Sequence, residues 1–185
     1  MLTLLCLCFL YDNILTILPA GCCIRITVKT ENLLLREARD QFLAVNGFRV
    51  SDYFASTYTV KLLGIPFRFP NTEAHQWATP LHDLHHVLTG YQTSWIGEAE
   101  LAAWELRAGC KTLVVYWLNL SGIAIGLLIA PLRVWHAFRA ARGCRTLYRH
   151  SELREAALKM TVGEARLQLG IPMGGARQTR PTTAG

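Results

Sequence analysis

The chain has 185 residues, 51% of them hydrophobic and 17% charged, with a formal net charge of +6. One ordinary domain fits that length, and soluble domains carry about 25% charged residues, so the chain is too apolar to be disordered over most of its length. With 14 Gly and 6 Cys, collagen-like and disulfide-dense scaffolds are excluded too, which leaves a compact domain with a very apolar interior or a domain that touches a membrane.

Residues 1–30 are a separate apolar extension. Residues 1–20 have the oiliness of a signal peptide or anchor, yet no Lys or Arg precedes Arg25 and Asp12-Asn13 interrupts the run. A start further along, near Val28 or Leu33, is a third option. The domain then runs over 31–172. Apolar residues at helical spacing predict a helix over Glu31–Asn46, stopping at Asn46-Gly47. A second helix is predicted from Ser51-Asp52 to Gly64, followed by a loop over Gly64–Glu73 with Pro66 and Pro70. Thr79-Pro80 reads as the start of a helix that reaches Gly90. Further helices are predicted over Trp95–Ala108, Lys111–Ala130 and from Pro131 to about His150. A short one is capped by Ser151, and the last is opened by the capping box Thr161-Val-Gly-Glu164 and closed at Gly170. Residues 173–185 read as a disordered tail. No period-2 stretch is long enough for a regular sheet, so the fold class is all-α.

Charge divides along the chain. Residues 1–106 hold 7 Lys/Arg against 10 Asp/Glu, and residues 107–185 hold 12 against 3. Arg139, Arg142, Arg145 and Arg149 have helical spacing, and Trp135, Phe138 and Tyr148 interleave with them. Such a stripe suits an anionic membrane surface or a merely solvated face. No nucleic-acid-binding module is recognisable. Thr112–Leu132 is a 21-residue stretch without a charge. It is long enough to span a bilayer, but Asn119 and Ser121 soften it and Gly122-x-x-x-Gly126 equally suits close helix packing, so a buried or a membrane-contacting helix is expected. Cys6, Cys8, Cys22, Cys23, Cys110 and Cys144 form no C-x-x-C pair and read as free thiols.

The chemistry concentrates in Leu81-His82-Asp83-Leu84-His85-His86. On a helix His82 and His86 lie one turn apart on one face, where two imidazoles can reach one metal ion. Glu98 follows in Trp95-Ile-Gly-Glu98, beyond a reversal near Gly90. Glu105, two turns on, shares its face and is placed to support the ligands. Zincin proteases carry Glu where this chain has Asp83, one methylene shorter. HD phosphohydrolases need a downstream Asp, and none follows Asp83.

The full pattern, His82-Asp83-x-x-His86, eleven residues, then Glu98, resembles the coenzyme Q biosynthesis protein 4 family. The Thr79-Pro80-Leu81 approach, Gly97-Glu98, the oily helix, the arginine-rich segment and the closing Arg166-Leu-Gln-Leu-Gly170-Ile also resemble that family, over roughly residues 31–172. Trp95 and the run Glu98–Glu105 depart from it, as in a divergent, bacterial-type branch. The resemblance implies a helical protein with a divalent metal, zinc or else iron(II), held by His82, Asp83, His86 and Glu98. It implies ubiquinone biosynthesis, by replacement of the C1 carboxyl of a polyprenylated 4-hydroxybenzoate-derived precursor with a hydroxyl. Asp83 and His85 are the candidate proton-moving catalytic residues. The alternative is a non-catalytic lipid-binding scaffold. Expected partners are the polyprenylated precursor, an anionic membrane surface, other ubiquinone-biosynthesis proteins and a second copy of the chain. The expected place is the cytoplasmic face of a bacterial inner membrane, or the matrix side of the mitochondrial one.

Overall fold

A computed structural model of the protein describes residues 30–62, 65–150 and 153–179. The extension 1–30 lies outside the described residues apart from Thr30, as does Ser151. The described chain is mostly helical, as the sequence predicts.

Helix α1 (Leu35–Val45) is followed by a 3₁₀ turn (Val50–Phe54) and an antiparallel hairpin of β1 (Thr57–Leu62) and β2 (Ile65–Pro70). The hairpin replaces the helix predicted to end at Gly64 and the loop after it. Thr57-Tyr-Thr-Val60 is β-branched and aromatic, which suits a pleated surface better than a helix. Pro66 and Pro70 fit a strand that has a partner on one side only. The pair is anchored by Tyr58, which lies against Phe69 across the strands and stacks on His75 at a 4.3 Å centroid distance.

Helix α2 spans Glu73–Thr89, beginning two turns before the predicted start. Its cap is Thr72, whose hydroxyl accepts from the His75 N–H. Pro80 is therefore interior. A helix-interior Pro costs about 3 kcal/mol, offset here by its burial in the core. Beside it, the Thr79 hydroxyl donates to the His75 carbonyl at 2.9 Å. Gly90 ends the helix in the left-handed conformation.

Helix α3 (Trp95–Ala108) matches its predicted span and packs against α4 (Leu113–Ile129) and α5 (Pro131–Ala140). The face of α4 toward the core is Val115, Asn119, Gly122 and Gly126. The backbone approach is close: a Cβ at Gly126 would stand 2.3 Å from the Ala99 Cβ. The other face of α4 is exposed, so the uncharged helix is buried along one side only. No helix among the described residues is long and apolar enough to cross a membrane.

The predicted basic helix to His150 stops at Ala140, and Gly143 takes a left-handed φ of 83°. The four-arginine stripe is thereby broken. Arg145 donates to the Gln168 carbonyl, and Arg149 lies against Gly109. Short α6 (Arg154–Ala157) leads to α7 (Val162–Leu169), which has the predicted Thr161/Glu164 capping box and Gly170 stop. Residues 173–179 are ordered rather than a free tail. The Gly174 N–H donates to Glu31, Ala176 is buried, and a 3₁₀ turn covers Ala176–Thr179. Residues 180–185 lie outside the described residues. Cys110 and Cys144 are free thiols, as predicted; the other four cysteines lie in the undescribed extension.

The core runs through Leu35, Leu81, Leu84, Leu88, Leu101 and Trp104. Arg166 crosses it fully buried. The guanidinium ion-pairs with Glu31 and donates to the carbonyls of Val87 and Leu88. Those carbonyls belong to the last turn of α2, whose own partners run out there.

Candidate metal centre

Three side chains meet at the centre of this helical frame. His82 and His86 sit one turn apart on α2, and Glu98 comes from the first turn of α3. The Ser94 hydroxyl caps α3 by accepting from the Gly97 N–H. Gly97 permits the tight entry, because a Cβ there would lie 2.1 Å from the Gln92 carbonyl oxygen. Glu98 Oε2 lies 3.1 Å from His82 Nε2, and Glu98 Oε1 lies 3.2 Å from His86 Nε2. One ligand atom from each of the three falls within 4.8 Å of the others.

Each imidazole is oriented from behind. His86 Nδ1 donates to the Tyr91 carbonyl at 2.9 Å, and Phe42 stacks on its ring. His82 Nδ1 donates to Glu105 Oε1 at 3.0 Å. Both Nε2 atoms are thereby presented to the same carboxylate. A second hydrogen bond that fixes the tautomer is the usual support of a metal-bound histidine. Zinc–ligand bonds of 2.0–2.2 Å place tetrahedral donor atoms about 3.4 Å apart; each Glu98 oxygen stands near that distance from one imidazole, and a single donor atom from each residue falls within 4.8 Å of the others. Two imidazoles and a carboxylate suit zinc and also iron(II). The donor set therefore fits a divalent ion.

Electrostatics agree with the geometry. Burial works against charging His82, but Glu105 and Glu98 outweigh it and hold its pKa well above the ordinary value. Burial opposes ionisation of Glu98, yet His86 and His82 hold its carboxyl down at about 2. Glu105, completely buried, is likewise held well below the usual carboxylate range by His82 and His85.

Two expected residues stand elsewhere. Asp83 does not join the three-residue group. Its carboxylate accepts a 2.7 Å hydrogen bond from the Tyr53 hydroxyl, and burial raises its pKa. His85 is fully buried behind the site. Its Nδ1 donates to Glu105 Oε1 at 2.7 Å, and its Nε2 accepts from the Leu147 N–H at 2.9 Å. With both nitrogens committed and burial lowering its pKa, His85 is a neutral structural imidazole. It faces inward because α2 is covered on that side too, by Trp104 and Tyr148.

Tyr53 has no counterpart in the sequence reading, and Tyr148 enters it only as an aromatic interleaved with the arginine stripe. Tyr53 is 30 residues from its partner Asp83, and nothing in its local pattern marks it. Tyr148 lies edge-on to His85 and on the cavity wall.

A cavity of about 470 Å³ opens over His82, Asp83 and Glu98. Phe42 and Leu43 of α1, Ala78 of α2, and Val115 and Leu118 of α4 make it largely apolar. A few polar groups converging at the end of an apolar pocket are the usual form of a small-molecule site. Comparison with family models, curated proteins and solved structures found no match to this chain.

Proposed function

We propose that the chain is a divergent member of the coenzyme Q biosynthesis protein 4 family and a metal-dependent enzyme of ubiquinone biosynthesis. It replaces the C1 carboxyl of a polyprenylated 4-hydroxybenzoate-derived acid with a hydroxyl. The observation that carries this reading is the convergence of His82 Nε2, His86 Nε2 and Glu98, with His82 and Glu98 on the wall of a largely apolar cavity. His82, His86 and Glu98 would hold the ion. When bound, it supplies Lewis acidity toward the anionic head of the substrate.

The chain's own residues do the rest. Phe42, Leu43, Val115 and Leu118 take the prenyl segment next to the ring and exclude water from the head. Asp83 stands on the same wall as His82, with a carboxyl raised toward the range in which it can accept and return a proton. Tyr53 holds that carboxyl in place. Overall the ring loses its carboxyl as carbon dioxide and gains a hydroxyl whose oxygen comes from water. That is a two-electron oxidation in which dioxygen takes up the electrons and leaves as hydrogen peroxide, so acid, dioxygen and water give phenol, carbon dioxide and peroxide.

Metal analysis of the purified protein and turnover of a C1-carboxylated prenylphenol under air test the proposal. Bound zinc or iron near one per chain and formation of the hydroxylated ring are expected. Full activity in the His82→Ala/His86→Ala double variant would overturn it.

A further inference from the structure

The outer face of α4 and the start of α5 carry a run of exposed apolar side chains. Leu113, Trp117, Leu127 and Ile129 are exposed along it, as is Trp135. At the corner between the helices Leu128 and Leu132 project with 88% and 73% of their area exposed. Isolated exposed leucines are ordinary, but a contiguous apolar patch marks an interaction site.

What borders it identifies the partner. Arg139 lies one turn beyond Trp135 on α5, and Arg142 follows in the next turn; both are exposed. Arg107 rests on the Phe138 ring at 4.9 Å, and Phe138 stacks on Trp135. Lys111 precedes α4. Seven Lys/Arg and no acidic residue occur between Glu105 and Glu152. Two copies meeting on this face would set one basic fringe against the other. An anionic bilayer complements both parts, taking the apolar ridge among its acyl chains and the fringe among its headgroups. Helix α4 is 17 residues, or about 26 Å, shorter than the ~30 Å of a hydrocarbon core. It suits lying on the membrane rather than crossing it.

The cavity reaches the start of α4. Val114, in the first turn of α4, is partly exposed and lines the cavity, as do Val45 and Phe48 at the end of α1. One face of α4 thus lines the cavity and the other lies on the outside of the molecule.

We infer that the α4–α5 face is a docking surface for an anionic lipid bilayer. The surface stands independently of the chemistry proposed for the metal centre.

Flotation of the full chain with phosphatidylcholine vesicles, with and without phosphatidylglycerol, at low and high salt, tests this. Binding to the anionic vesicles that weakens with salt is expected. Arg139→Glu/Arg142→Glu reduces it roughly tenfold or more, and Leu128→Ser/Leu132→Ser reduces it to a similar degree. All four positions are exposed, and circular dichroism checks that the variants fold. Failure of the full chain to float overturns the inference, and is the result expected if residues 1–29 cover the face. Flotation unchanged by both variant pairs overturns it as well. So does a dimer in solution that the leucine variant dissociates, since a second copy is then the partner. Loss of turnover with flotation intact would count against the metal-centre proposal alone.

Discussion

His82 and His85, three residues apart on one helix, share a single oxygen of Glu105, at 3.0 and 2.7 Å. One buried carboxylate thus fixes a ring that faces the cavity and a ring that faces the core. Glu105→Gln keeps the shape but removes the charge that holds the His82 ring. Metal affinity should fall about 10–100-fold while His82, His86 and Glu98 remain. Isothermal titration with zinc checks this, and unchanged affinity would exclude a positioning role for Glu105.

Metal binding should also be pH-dependent, with a definite sign. The pKa of His82 is raised in the metal-free protein, so the ring carries a proton that a metal must displace. Affinity should rise with pH below that pKa, by about tenfold per unit if one proton is released, and level off above it. Competition against a chromophoric chelator between about pH 6 and about pH 8 measures it. A flat profile over that range would show that the metal displaces no proton there, and that Glu105 and Glu98 do not hold the His82 ring charged.

The Tyr53–Asp83 hydrogen bond separates binding from turnover. Tyr53→Phe removes one donor from a buried carboxyl and leaves His82, His86 and Glu98 in place. Metal content should stay at the wild-type level while turnover drops. Equal loss of both would place Asp83 among the metal-holding residues.

Arg166 has a structural role of a different size. Removing a partner from a buried ion pair typically costs about 3–5 kcal/mol. Arg166→Met would strand Glu31 and the carbonyls of Val87 and Leu88. Chemical denaturation should show a loss of that order, and a loss below about 1 kcal/mol would mean that water replaces the guanidinium.

Gly126→Ala tests the seam between α3 and α4. The added Cβ would overlap Ala99 and crowd Val134, so a loss of about 1–3 kcal/mol is expected from overpacking. Thermal unfolding reads it directly.

The residues legible in the sequence were those whose signal is local. The pairing of His82 with His86 is a helix-period fact, and Glu98 followed from a short reversal. Glu105 could be placed because it is two turns from Glu98 on one helix. The true start of α2 was obscured by Pro80, whose local preference for a first turn is overridden by packing, while Thr72-Glu73 carried the actual cap. The hairpin was missed because its strands are only six residues each. His85 misled because a helical wheel marks an arc as polar or apolar but not which arcs are covered. Tyr53, Tyr148 and Arg166 act across 30 or more residues, where no periodicity reaches.

The brace at the end of α2 also sets an order of events. Arg166 meets the Leu88 carbonyl from 78 residues further along the chain. At about 5–20 residues per second, a ribosome makes that stretch in roughly 4–16 s. Through that interval a growing chain already contains His82 and His86, and for most of it Glu98 too, but the end of the histidine-bearing helix has nothing to lock onto. Maturation of the centre is thus tied to synthesis of α7, and a chain stalled before Arg166 would carry both imidazoles on an unbraced helix.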